Sequence, residues 1–179
     1  MSLPQEGYFT LAQANEAGYS RQLLNYLLQK GELERVRRGI YRWAYFPLSE
    51  DSELIELWLW SSKVGVFSHQ TALFLHRLSD ALPAKLHMTV PEDWSRKRLR
   101  LPEHLVLHYG QLEEQETSWF GAIKTTKPFR TLLDCLESRV EPLLVEQAYE
   151  EGLERGLFSL EQFETAAAYR GLSLSSPRK

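Results

Sequence analysis

Four arginines, Arg35, Arg37, Arg38 and Arg42, crowd around Gly39 in a stretch of apolar, β-prone residues. Guanidinium groups carry permanent charge and a fork of N–H donors, which suits phosphate oxygens and guanine edges. Just ahead of them, the run from Ser20 to Lys30 has a second pattern. At 100° per residue it turns Gln22, Asn25, Tyr26 and Gln29 to one side, with Arg21 at the rim, and Leu23, Leu24, Leu27 and Leu28 to the other. Amides and an aromatic ring are side chains for base edges, whereas a face needing only solubility would carry Glu and Lys. The chemistry indicated is recognition of double-stranded DNA. Gln22, Asn25, Tyr26 and Gln29 lie nearest the bases, Ser20 joins the DNA-binding set at the helix start, and Arg21, Arg35, Arg37, Arg38 and Arg42 hold phosphates or the wing groove.

These side chains need a scaffold, and the flanking residues supply its signals. Thr10 and Gln13 have capping-box spacing, with Phe9, Leu11, Ala12 and Ala14 at a helix start. Gly18 is placed to end that helix, Ser20 to cap the next, and Gly31 to stop it. Two short helices around a glycine turn read as a helix-turn-helix. Leu33–Val36, then Arg37-Arg38-Gly39, then Ile40–Trp43 read as a β-hairpin with arginines at its tip. A hairpin in that place is the wing of a winged helix. The expected first domain is 1–47.

The distribution of charge agrees with this better than the total. The chain of 179 residues has net charge −3. Residues 1–49 carry +2, residues 20–43 carry +4, and the remainder carries −5. A local positive field is what phosphate binding requires. Residues 137–164 hold eight acidic against two basic residues, a face that would repel DNA and suits a protein partner or solvent. Arg96, Lys97, Arg98 and Arg100 form a second basic cluster, read first as a solvated loop and second as secondary phosphate contacts.

The second domain, 48–179, mixes element types. Phe46-Pro47-Leu48-Ser49 is a junction, and Asp51 is expected to cap a helix bearing Leu54, Ile55, Leu57, Trp58 and Leu59. Ser68 is expected to cap another over Gln70–Arg77. Leu86–Val90, Leu105–Tyr109 and Trp119–Thr125 read as strands. Pro128 opens a helix through Leu136, and Pro142 another through Arg155. Ser159 with Gln162 repeats the capping-box spacing, and Phe158 with Phe163 has the spacing of a hydrophobic staple. The fold class is α+β (mixed α/β): an N-terminal winged helix-turn-helix followed by a larger mixed α/β domain.

Catalytic patterns are missing from the sequence. It has no HExxH pair, Walker loop, GxGxxG or GxSxG. No lysine follows an acidic residue at the two-residue spacing of a restriction-type nuclease. Asp51 and Glu53 have the spacing of a Mg²⁺ pair but lack a Gly-Ser loop before them. His69 and His76 share one helix side, while His87, His104 and His108 are scattered, so neither metal nor cofactor is expected. Cys135, the lone cysteine, reads as a buried filler. No apolar run approaches the ~18 residues of a membrane span, and Met1–Gln5 has neither a basic start nor an apolar stretch. A cytoplasmic, non-enzymatic protein is expected.

The run GYFTLAQANEAGYSRQLLNYLLQKGELERVRRGIYRW resembles the N-terminal winged-helix domain of AbiEi-type antitoxins, the DNA-binding partners of type IV toxin–antitoxin operons. The matching positions are Phe9, Thr10, Gln13, Ala14, Gly18, Ser20, Leu24, Leu27, Gly31, Leu33, Arg35, Val36, Arg38, Gly39, Tyr41 and Arg42. Phe67–Leu73 with His76, Leu78, Ser79 and Asp80, then Leu86–Pro91, then Thr125–Asp134, are similar to segments of that family's larger domain. The resemblance implies a repressor of its own promoter; inverted repeats there are the expected partner DNA, and two copies on them would need half-sites spaced by about one helical turn or a multiple. It also implies a nucleotidyltransferase-like toxin opposed functionally rather than through a stable complex. Two other readings stay open: a protein-interaction module whose winged helix no longer binds DNA, and an enzyme of unrecognised type.

Overall fold

A computed structural model describes residues 5–174. The chain forms an α+β fold of two compact units. The first runs through Gly65 and includes Trp119–Ile123; the second holds Val66–Ser118 and Lys124 onward.

The first unit starts with a strand that the sequence reading merged into the following helix. Strand β1 (Tyr8–Thr10) pairs antiparallel with β3 (Ile40–Trp43), placing Phe9 opposite Tyr41. Helix α1 (Leu11–Glu16) begins at Thr10, whose side chain accepts from Gln13 N while the Gln13 side chain accepts from Thr10 N at 2.9 Å. The expected capping box is therefore formed. Ser20 caps α2 (Arg21–Gln29) through Leu23 N. Strand β2 (Leu33–Arg37) turns at Arg38-Gly39 into β3, completing a three-stranded antiparallel sheet of order β1-β3-β2. Gly39 takes φ +78°, a left-handed turn conformation that L side chains resist. Phe9, Ala14, Leu24, Leu27, Leu33 and Tyr41 make the core beneath the helices.

Helix α3 (Ser52–Trp60) packs against all three strands of this sheet, burying Leu54, Ile55, Leu57, Trp58 and Leu59. The unit thus continues past the junction at 46–49. Asp51 precedes α3 but makes no side-chain cap; the Ser52 hydroxyl instead accepts from Ser49 N at 2.9 Å.

The second unit is built on a five-stranded sheet of order β6-β5-β4-β8-β7. These strands are β4 (Val66–Phe67), β5 (Leu86–Val90), β6 (Leu105–Tyr109), β7 (Thr117–Phe120) and β8 (Ile123–Thr126). β4 pairs antiparallel with β5 and parallel with β8; β5 pairs parallel with β6. The single strand expected over 119–125 is two strands, because Gly121, at φ +54°, turns the chain. The two-residue β4 carries too little pattern to be seen in the sequence.

Helix α4 (His69–His76) follows β4; α5 (Pro128–Glu137), α6 (Pro142–Glu154) and α7 (Leu160–Arg170) close the unit. Leu73, Leu132, Cys135, Val145, Ala148, Phe158 and Phe163 form its core. Both prolines stand in the first turn of their helices, and Ser159 with Gln162 forms the expected capping box. Gly152 sits inside α6 because a Cβ there would lie 2.2 Å from the Phe158 ring. Cys135 is buried, and burial pushes its thiol pKa up.

Ser68 precedes α4 without capping it. Its fully buried hydroxyl instead accepts from Thr89 at 2.7 Å and meets His69 Nδ1 at 2.9 Å. This corrects the reading of scattered histidines, because three strand and helix ends converge here. The His69 ring stacks on His108 with centroids 3.5 Å apart, and His87 Nδ1 lies 2.9 Å from His108 Nε2. His69 Nε2 meets the Ser138 hydroxyl at 3.0 Å, and its backbone is left-handed at φ +52°. Both His69 nitrogens are committed to hydroxyls, and His87 Nδ1 and His108 Nε2 to one another. Among the described residues no group of three such side chains is placed to hold an ion.

Burial first, then the neighbouring imidazoles, lowers His69 to about 3 and His108 to about 4, and Arg130 adds to the effect on His69. Both pKa values lie below the unfolded one. The stabilisation is therefore complete above about pH 6.5 and is lost as pH falls toward 3–4, by up to ~1.4 kcal/mol per pH unit for each imidazole. Denaturant titrations from pH 7 to 5 should show this slope, and His108→Phe should flatten it. Equal slopes in both proteins would refute the assignment.

Candidate nucleic-acid interface

The helix-turn-helix presents α2 with the polarity expected, with one change. Gln22, Asn25, Tyr26 and Gln29 are exposed, as are Ser20 and Arg21, while Leu24 and Leu27 are buried. Leu23, assigned from the sequence to the apolar face, is 41% exposed. It lies at the rim of a stripe that Leu24, Leu27 and Leu28 already fill. The Ser20 hydroxyl faces Leu23 N at 3.1 Å, so capping already uses it as an acceptor. Lys30 Nζ stands 5.7 Å from the centre of the Tyr26 ring.

The wing arginines divide into two sets, and a β-bulge is the cause. Along β2 and β3, Leu33 pairs with Trp43, Glu34 with Arg42 and Arg35 with Tyr41. The register then slips, so that Arg37 rather than Val36 pairs with Ile40. Simple alternation would put Arg35 and Arg37 on one face. The extra residue sends them to opposite faces. Arg35 shares its face with Leu33 and Tyr41, toward the helix-turn-helix core. Arg37 shares the other with Glu34 and Arg42, where it forms an ion pair with Glu56 of α3.

Arg42 is therefore a correction to the expected interface. It is 6% exposed; its Nε and Nη2 donate to Glu34 at 3.2 and 2.5 Å, and Nη1 donates to the Phe46 carbonyl at 2.6 Å. It ties the end of β3 to the junction and has no free donor face for a phosphate. Arg37, half-buried and paired, is likewise turned from α2.

Arg21, Arg35 and Arg38 do converge. Together with Asn15, Asn25 and Tyr41 they line a cleft of about 570 Å³ between α1, α2 and the wing, and among the described residues no acidic side chain lines it. Asn15 was not singled out in the sequence. Its position one turn after Leu11, on the α1 face that meets the wing, is the signal that could have found it. Two amides and three guanidinium groups thus lie along one flank of α2, continuous with Gln22, Tyr26 and Gln29.

The other basic cluster belongs to the second unit. A 3-10 turn (Glu92–Arg96) leads into it, Lys97 pairs with Asp93 at 3.2 Å and stands 4.5 Å from the Trp94 ring centre, and Arg96, Arg98 and Arg100 are exposed.

Two helices joined by a tight turn and followed by a basic β-hairpin define a winged-helix protein. Residues 4–44 match the family described as "Transcriptional regulator, AbiEi antitoxin", so the resemblance read from the sequence holds over that segment. No curated protein matches the chain. Among solved structures, the fold is similar to the crystal structure of the RV2827C protein from Mycobacterium tuberculosis. The TM-score is 0.56 at 13% identity, covering 90% of this chain and 66% of that one. The chain thus spans just under two thirds of that protein, and the likeness concerns the fold. Among the described residues, no helix is long and apolar enough to cross a membrane.

Proposed function

We propose that this protein is a DNA-binding transcriptional repressor of its own promoter, and the antitoxin of a type IV toxin–antitoxin operon. The observation that carries the DNA reading is the basic cleft. Arg21, Arg35 and Arg38 stand together beside the exposed amide face of α2, with no carboxylate among them. In this reading α2 enters a major groove with Gln22, Asn25, Tyr26 and Gln29 over base edges, and Leu23 is an apolar contact for thymine methyls. Arg21, Arg35 and Arg38 hold the flanking phosphates, while Arg37 and Arg42 serve the scaffold. Two copies on an inverted repeat would need half-sites about one helical turn, or a multiple of it, apart. The protein itself is not an enzyme. The antitoxin role rests on the family match over 4–44, and it requires a nucleotidyltransferase-like neighbour.

The test is binding to the DNA upstream of the gene, measured by fluorescence anisotropy across a salt series. Affinity should fall with salt at a slope of about 0.9 per phosphate contact, and Arg38→Ala should reduce that slope by about one. A salt-independent interaction, or an unchanged slope in Arg38→Ala, would overturn the reading. It would then favour a protein-interaction module built on the same scaffold.

A further inference from the structure

The winged-helix unit has a second cavity, of different chemistry. Phe9, Tyr19, Trp43 and Tyr45, with Gln13, Ala14 and Ala17, line a space of about 220 Å³ that stays open to solvent along one side. Trp43 is its centre: the rings of Phe9, Tyr19 and Tyr45 lie 5.9, 6.2 and 5.6 Å from it, tilted at 42°, 70° and 38°. The rings therefore meet as a splayed fan rather than a closed stack. Tyr45 is 72% exposed. Its ring therefore forms the open rim of the cavity, with its hydroxyl in water.

We infer that this cavity is a binding site for a small, neutral, flat aromatic molecule. Size sets the first limit. An apolar cavity of about 150 Å³ holds one benzene ring, so this space suits one or two fused rings. Charge sets the second. Ring faces are electron-rich and repel anions. A cation would be attracted to them, but among the described residues no acidic side chain lines the cavity to complete its neutralisation. Polar groups set the third. The Gln13 amide is partly engaged, its oxygen by Thr10 N at 2.9 Å and one of its two N–H donors by Gln5 Oε1 at 3.3 Å. The indole N–H of Trp43 and the hydroxyls of Tyr19 and Tyr45 have no protein partner among the described residues. They are the groups available to orient a heteroaromatic ring.

The position gives the site its interest. Helix α1 turns Leu11 and Asn15 to the basic cleft and Gln13, Ala14 and Ala17 to the aromatic cavity. One six-residue helix thus forms a wall of both. Phe9 also stacks on Tyr41, which lines the cleft, at 5.8 Å. The ligand site stands independently of the DNA reading, because its geometry uses none of the cleft arginines.

The experiment is titration of the full chain with indole, and separately with tetramethylammonium, followed by calorimetry and by NMR of the Ala17 methyl and Gln13 amide. Indole should bind and shift both resonances. Tyr45→Ala, which removes an exposed ring, and Ala17→Leu, which fills the space, should each weaken it about tenfold or more, with unchanged thermal unfolding. Indole that fails to bind the unaltered protein, or that leaves both resonances in place, would overturn the inference. So would wild-type affinity in both variants. Tighter binding of tetramethylammonium than of indole would make this a cation site and equally overturn it. Failure of DNA binding in the same preparation would leave these readouts intact, so the two proposals fail separately.

Discussion

Replacing Arg21, Arg35 and Arg38 together by alanine is expected to lower the affinity for operator DNA by about a thousandfold. Each charge-assisted hydrogen bond is worth about 1.5–3 kcal/mol, and each 1.4 kcal/mol is a factor of ten, so three lost contacts reach that scale. The loss should be nearly uniform over sequences, because phosphates carry no base identity. Arg37→Ala and Arg42→Ala should behave differently. Their guanidinium groups belong to Glu56, Glu34 and the Phe46 carbonyl. Their removal should lower the stability of the winged-helix unit, by about 1–3 kcal/mol for Arg42, and leave the salt slope of binding unchanged. Anisotropy at 50 to 200 mM salt, with chemical denaturation beside it, separates the two sets. The division fails if Arg42→Ala flattens the salt slope while the triple variant binds DNA as the unaltered protein does.

That contrast also marks where the sequence stopped being informative. The helix-turn-helix was legible because its signals are local: Thr10 with Gln13, Ser20 as a cap, and leucines at helical spacing each act within one or two turns. Both prolines that open helices were legible for the same reason. The direction of the wing arginines was not. A bulge at Val36 depends on how β2 seats against β3, and one extra residue reverses every side chain beyond it. Arg42 looked like its neighbours until its partners, Glu34 eight residues back and the Phe46 carbonyl, came into place. The imidazole cluster was hidden more deeply still. His69, His87 and His108 come from α4, β5 and β6, and only the parallel pairing of β5 with β6, which sets Met88 against Leu107 and Thr89 against His108, brings the last two into one layer. No spacing rule reports a contact made through sheet order.

The second unit has its own pairing problem, and the strongest stability effect is expected there. Arg130 donates from Nε to Asp134 and from Nη1 to Glu116, each at 2.7 Å. Asp134 is 4% exposed, and its second carboxylate oxygen is buried without a partner. Burial pushes its pKa up to about 6, and the Arg130 guanidinium opposes the rise. At pH 7 the buried carboxylate is therefore mostly ionised, accepting from Arg130 and favoured more weakly by the Arg170 charge. Arg130→Ala removes the guanidinium that Asp134 accepts from; breaking a buried pair costs up to about 3–5 kcal/mol, and less where the orphaned carboxyl can take up a proton. The sign with pH follows. Without Arg130 the Asp134 pKa rises further above about 6, so the carboxyl takes up a proton already near neutral pH and is fully neutral at pH 5, where the penalty is smallest. The difference between unaltered protein and Arg130→Ala should thus be largest at pH 7 and smaller at pH 5, even though both proteins lose stability there through the imidazoles. Asp134→Asn in the Arg130→Ala background should recover much of the loss at pH 7, since a neutral amide is far cheaper to bury than a charge. Denaturant unfolding at the two pH values measures all of this. A loss below about 1 kcal/mol at pH 7, which is what an exposed pair gives, would mean that solvent reaches Asp134 and that the pair is ornamental to the unit.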